Sequence, residues 1–156
     1  MILATPDDQC LRMKREFRFF HFLDEQDVSL LSPYFECRKL QQGDNLWLEG
    51  DRSSFVAFIV DGRIETKKET EFRGKQVVVG VYSHESLIGI VSILSNEPRP
   101  VTATALEESH LLLLHKAKFD EINQNYPELG GKLMKGMLFC LSMRLRQSYE
   151  RLASIF

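Results

Sequence analysis

Apolar and polar positions divide this chain into three stretches of different period. From Gln9 to Phe22 the apolar residues Cys10, Met13, Phe17 and Phe20 recur at steps of three and four, which predicts a helix. Asp24 offers an N-cap with Asp27 three residues on, so a short second helix is expected, ending near Ser32-Pro33. Beyond Pro33 the period shortens. The segments Phe35–Gln41, Asn45–Leu48, Phe55–Val60, Arg63–Thr70, Lys75–Tyr82, Val101–Ala105 and His110–Leu114 read as short strands separated by turns. Asp61-Gly62 and Arg73-Gly74 read as tight hairpin turns. Short strands at this spacing predict an antiparallel sandwich or jelly roll.

After Lys116 the helical period returns. A helix is expected over Lys118–Asn125, and Pro127 opens a long one running to the end of the chain. Along it Met134, Leu138, Leu141, Leu145, Leu152 and Phe156 form a 3-4 seam, with Ser148 or Tyr149 filling one step. Two readings of that seam stay open: a dimer contact between two copies, or an amphipathic helix packed on its own roll. Arg144, Arg146 and Arg151 suit the negative end of the helix dipole. The expected architecture is therefore a mainly β antiparallel β-roll with N-terminal helices and a long C-terminal helix. It reads as a single domain over 1–156: helices in 1–34, roll in 35–116, and C-terminal helices in 117–156.

Bulk composition narrows the classes of function. The chain has 156 residues, 44% of them hydrophobic and 27% charged, as in ordinary globular domains. A net charge of −2 argues against general nucleic-acid affinity, which needs a concentrated basic face. No apolar run has the length of a membrane span, and MILATPDDQC lacks the basic and apolar regions of a signal peptide. A cytoplasmic protein is expected. Cys10, Cys37 and Cys140 lack C-x-x-C spacing and read as reduced thiols. The histidines, His21, His84, His110 and His115, include no H-x-H pair. His110 and His115 differ by an odd step and so point to opposite faces of one strand. No metal site and no catalytic constellation is expected.

The candidate chemistry lies in Ser86–Ala105, SLIGIVSILSNEPRPVTATA. Gly89 lets backbone approach a ligand closely, Ile90–Leu94 supplies a helical turn with free N–H groups, and Arg99 supplies a cationic fork. Together they read as a pocket for one phosphate. Gly43, Gly50 and Gly62 punctuate the first three strands, within EGD at Glu49–Asp51 and VDGRI at Val60–Ile64. This ordered set, with the roll and the terminal helix, resembles the cyclic-nucleotide-binding domain of bacterial Crp/Fnr-type regulators, cyclic-nucleotide-dependent kinases and gated channels.

The resemblance implies a phosphate-binding cassette of the form G-E-[LI]-[AS]-L, a short loop, then R-x-A-[ST]-x-x-A. Gly89, Ser92, Arg99, Thr102 and Ala105 match its positions. It implies that Arg99 makes a bidentate contact to cyclic phosphate oxygens, with N–H groups and hydroxyl near Ser92 adding donors. The implied ligand-binding set is Gly89, Ile90, Val91, Ser92, Arg99, Pro100, Val101 and Thr102. Arg144, Ser148 and Tyr149 on the long helix are the implied base contacts. The chain departs from the pattern twice. Ile90 stands where the family carries a carboxylate for the ribose hydroxyl, a loss of about ten- to a hundredfold in affinity. Pro100 stands where an amide donor is usual, and proline has none.

Three functional classes follow. The first is a non-catalytic sensor that binds cAMP or cGMP in the roll and passes the signal to the C-terminal helix. It needs no cofactor and is expected to be a homodimer through Met134, Leu138, Leu141, Leu145 and Leu152. The second is a degenerate Crp/Fnr-like effector domain that has lost nucleotide recognition and acts as a dimeric interaction module. The third, a jelly-roll metalloenzyme, lacks the clustered ligands it would need. No helix-turn-helix is expected after Phe156, and no recognition helix upstream of it. Output is therefore expected through a protein partner or another polypeptide, with no DNA and no membrane among the partners.

Overall fold

The computed structural model describes Lys14 and residues 23–156. Apart from Lys14, the helix expected at 9–22, with Cys10 and His21, lies outside the described residues. Helix α1 (Glu25–Leu31) starts on a capping box. The Asp27 N–H donates to the Asp24 carboxylate at 2.8 Å, and the Asp24 N–H donates to that of Asp27 at 3.1 Å. Pro33 then closes a single 3-10 turn, Ser32–Tyr34.

The strands are β1 (Glu36–Leu40), β2 (Asn45–Trp47), β3 (Phe55–Asp61), β4 (Ile64–Glu69), β5 (Gln76–Tyr82), β6 (Ser86–Ile88), β7 (Thr102–Ala105) and β8 (Ser109–His115). They form two four-stranded sheets, β1-β8-β3-β6 and β2-β7-β4-β5, antiparallel throughout. The expected β-roll is the observed fold. Strand β6 is the difference. Its three residues are too few to show an alternating pattern, and Phe58 pairs it into the sheet opposite Leu87.

The continuous apolar runs FVAFIV and LLLL are explained by burial on both faces. From β3 and β8, Val56, Phe58, Leu112 and Leu114 point to the helices, where they meet Leu31, Phe119, Ile122, Leu133 and Met137. Their neighbours Phe55, Ala57, Ile59, Leu111 and Leu113 point between the sheets, against Trp47, Ile64, Ile88 and Ala103. Each fully buried side chain of this size contributes about 1.5–3 kcal/mol, so this double layer is the main stabilising element. Gly62 makes the β3–β4 turn at φ +97°, and a Cβ there would stand 2.2 Å from Ser109 Oγ.

Three helices complete the chain: α2 (Ile90–Leu94), α3 (Lys116–Asn125) and α4 (Pro127–Ile155). Leu129, Leu133 and Met137 dock the first half of α4 on the roll. Lys132 Nζ meets the buried Asp27 carboxylate at 2.6 Å, tying α4 to α1. The expected seam is split: Met134, Leu138, Leu145 and Leu152 are exposed, whereas Leu141 turns inward against the helix-side core. Helical period places Leu141 between the two faces, and the roll takes it.

A second correction concerns the thiols. Cys37 is disulfide-bonded, while Cys140 is the free cysteine among the described residues. An odd cysteine count leaves one thiol over but does not prevent a pair. Among the described residues no helix is long and apolar enough to cross a membrane, and no cluster of His, Cys, Asp and Glu could hold a metal ion.

Candidate functional site

The site is assembled around Arg99, whose backbone is clamped before its side chain is placed. The Arg99 N–H donates to the Asp51 carbonyl at 2.7 Å, and the Gly50 N–H donates to the Arg99 carbonyl at 2.8 Å. The EGD turn thus holds the arginine from both sides. From there the side chain runs inward and is 2% exposed. Nη2 donates to the Phe55 carbonyl at 2.8 Å, Nη1 to the Gly89 carbonyl at 3.5 Å and Nε to Ser53 Oγ at 3.1 Å. The guanidinium stacks 3.7 Å from the Trp47 ring centroid and 4.6 Å from that of Phe55.

Burial pushes the Arg99 pKa down to about 10, against the opposing pull of Asp51, so the group stays cationic at neutral pH. Gly89 permits this packing. Its φ is +83°, and a Cβ would lie 2.6 Å from Arg99 Nη1 and 2.9 Å from Trp47 Cη2.

A pocket of about 160 Å³ opens beside the guanidinium. Of the expected cassette, Gly89, Ile90, Val91, Ser92, Arg99, Pro100 and Val101 line it. Thr102 does not: its hydroxyl accepts the Glu49 N–H at 2.9 Å behind the wall. Ser92 donates its hydroxyl to the Phe55 and Gly89 carbonyls, so that donor is spent on the roll itself. Ile90 is 2% exposed and belongs to the helix-side core. No carboxylate lines the pocket.

Helix α4 roofs this pocket with Leu141 and Arg144. The Arg144 guanidinium donates to the Leu87 carbonyl and stacks 4.6 Å from the Tyr82 ring centroid. A larger cavity of about 600 Å³ lies along α4, and Val79, Tyr82 and Arg144 line both spaces. The Tyr82–Arg144 stack therefore stands between them. Ser148 lines the larger cavity and donates to the Arg144 carbonyl at 3.0 Å. Tyr149 is 61% exposed and lines neither space. It sits one position round the helix from Ser148, which turns it outward.

The sequence reading missed Trp47, Tyr82 and the Phe55 carbonyl. Trp47 is the chain's single tryptophan and stands two residues before the EGD turn, a signal that became legible only with the fold.

The comparisons with known proteins agree with this architecture. The model of the cyclic nucleotide-binding domain matches residues 37–126, more than half of the chain. A cyclic nucleotide-binding domain of Methylobacillus flagellatus KT superposes with a TM-score of 0.81 at 21% identity, covering 96% of this chain and 83% of that one. The cyclic AMP receptor protein of Thermus thermophilus is 25% identical over 129 residues, 83% of this chain and 57% of its own length. Patatin-like phospholipase domain-containing protein 6 of mouse is 27% identical over 117 residues, 75% of this chain but 8% of that protein. The chain thus spans less than two thirds of either of these relatives. With a family match across most of the roll, the ordered turn glycines and an inward arginine beneath a long helix, this chain belongs to the cyclic nucleotide-binding domain family.

Proposed function

We propose that this domain is a non-catalytic sensor in which an anionic ligand, cAMP or cGMP, reaches Arg99 and changes how α4 sits on the roll. The observation that carries this reading is Arg99 itself: a buried cation at the wall of a pocket that α4 roofs. Three of its five N–H donors go to Ser53, Gly89 and Phe55, leaving others for phosphate oxygens. A pocket of about 160 Å³ lies below the range of about 300–1,000 Å³ usual for drug-sized ligands. A nucleotide therefore needs the larger cavity as well, with its base beside Ser148 and the Tyr82–Arg144 stack displaced.

Displacing that stack frees the Leu87 carbonyl from Arg144 and loosens the outer half of α4. Coupling follows because the ligand binds the opened arrangement better than the docked one. The exposed stripe Met134, Leu138, Leu145 and Leu152 supplies a homodimer contact through which that change leaves the domain, toward a protein partner. Titration calorimetry with cAMP and cGMP tests the reading: saturable heat supports it, and none at millimolar ligand overturns it.

A second reading has its own observation. Ile90 is packed in the core and Ser92 is committed to backbone carbonyls, which favours a roll that has lost nucleotide recognition. On this reading Ile90→Glu with Pro100→Ser creates nucleotide binding absent from the parent.

A further inference from the structure

We infer that the inner pocket, with α4 docked over it, is a binding site for a single-ring aromatic anion, an aryl carboxylate or aryl phosphate, that opposes the opening of α4. This goes beyond the nucleotide reading in ligand class and rests on it only for the direction of the effect on α4.

Size comes first. An apolar cavity of about 150 Å³ holds one benzene ring, and this pocket is about 160 Å³. The space in the docked arrangement therefore fits one ring, with no room for a sugar and a base.

Wall chemistry selects the ring's character. Trp47, Ile88 and Val101 provide apolar and aromatic surface. The aliphatic lining hydroxyls are engaged: Ser92 donates to Phe55 and Gly89, and Thr66 Oγ1 lies 3.4 Å from the Gly80 carbonyl it donates to, which leaves the Tyr82 phenol as the one other hydroxyl on the wall. A ligand rich in hydroxyl groups would meet few partners there, and unpaired buried polar groups are costly.

Charge selects the substituent. Two guanidiniums, Arg99 and Arg144, stand on the walls and no carboxylate does. Arg144 directs one N–H to the Leu87 carbonyl and has further donors in its planar fork. An anion between the two arginines adds charge-assisted bonds while Arg144 keeps its hold on Leu87. Such a ligand strengthens the link between α4 and the roll. A ligand that binds the docked arrangement better shifts the population toward it. The aryl anion and the nucleotide thus compete for Arg99 with opposite effects on α4.

The test uses the full chain with phenyl phosphate as probe. Two readouts are followed: quenching of Trp47 fluorescence, specific because the chain has one tryptophan, and alkylation of Cys140, mapped by mass spectrometry. Saturable quenching is expected, with phenol and inorganic phosphate each binding at least tenfold more weakly and Cys140 alkylation slowing. Arg144→Gln, at a partly exposed helix position, is expected to weaken phenyl phosphate by about ten- to a hundredfold without unfolding the roll. The inference is overturned by equal affinity for phenol, by faster Cys140 alkylation with phenyl phosphate, or by no saturable quenching at millimolar concentration. If cAMP binds and phenyl phosphate does not, the inference falls and the nucleotide reading stands. If phenyl phosphate binds and cAMP does not, the reverse holds.

Discussion

The guanidinium of Arg99 lies 3.7 Å from the centroid of the Trp47 ring, buried within the roll. The arginine proposed to recognise the ligand is thereby also part of the core. Its Nη2 is the partner of the Phe55 carbonyl, from the central strand β3.

Removing that group affects folding as well as binding. Arg99→Gln forfeits the stacking on Trp47 and leaves the Phe55 carbonyl without its charged donor. The Phe55 carbonyl keeps the Ser92 hydroxyl, so the loss there is one net hydrogen bond, about 0.5–1.5 kcal/mol, and the desolvated cation–π contact adds about 2 kcal/mol. Urea unfolding of this variant is expected to show a stability lower by about 2–4 kcal/mol. An unchanged midpoint would show that the arginine does not support the fold.

Gly89→Ala tests the close approach on which the pocket wall depends. At φ +83° an L side chain is strained, and its Cβ would press on Arg99 Nη1 and the Trp47 ring. A loss of about 1–3 kcal/mol is expected, accompanied by a shift in Trp47 fluorescence as the ring moves. Full stability with an unaltered spectrum would contradict the packing described.

The Asp27–Lys132 pair makes one contribution to stability depend on pH. Burial pushes the Asp27 carboxyl up, but the hydrogen bonds from Lys132 and the Asp24 N–H, with the charge of Lys132, outweigh it. The net folded pKa lies below the usual 3.8. A depressed folded value stabilises above the unfolded pKa and is lost as pH falls through the folded one. Asp27→Asn is therefore expected to lower the melting temperature at pH 6–7, and the gap to the parent should close as pH drops below about 4. A gap independent of pH would remove the ion pair as its cause.

The outer stripe of α4 predicts assembly. Leu138 is 62% exposed and Leu145 52%, with Met134 and Leu152 on the same side. Burying a leucine contributes about 1.5–3 kcal/mol, so replacing Leu138 and Leu145 by glutamate should convert dimers to monomers in sedimentation. A parent chain already monomeric at high concentration would refute the dimer contact. Leu141 is unsuitable for this test, because it packs on the roll.

Much of the fold was legible because each element carries a local signal: a capping box before α1, alternating or doubly buried strands, and glycines at tight turns. Strand β6 carried none, since three residues cannot display a period. The position of Arg99 relative to Gly89 was also legible, as spacing within one segment. Its partners were not. Phe55 and Ser53 lie more than forty residues away, and only the roll's closure brings them to the guanidinium. The seam failed at Leu141 for a related reason: a 3-4 repeat marks an apolar stripe but cannot say which of two surfaces claims its edge. The pairing of Cys37 was hidden because spacing alone does not connect dispersed cysteines.

Occupancy of the pocket by a nucleotide is proposed to change the docking of α4. Amide hydrogen exchange, with and without saturating cAMP, measures that change directly. Faster exchange is expected in the outer half of α4, from Arg144 to Ile155, with slower exchange around Gly89 and Val101. An unchanged pattern along α4 at saturating ligand would contradict the coupling between pocket and helix.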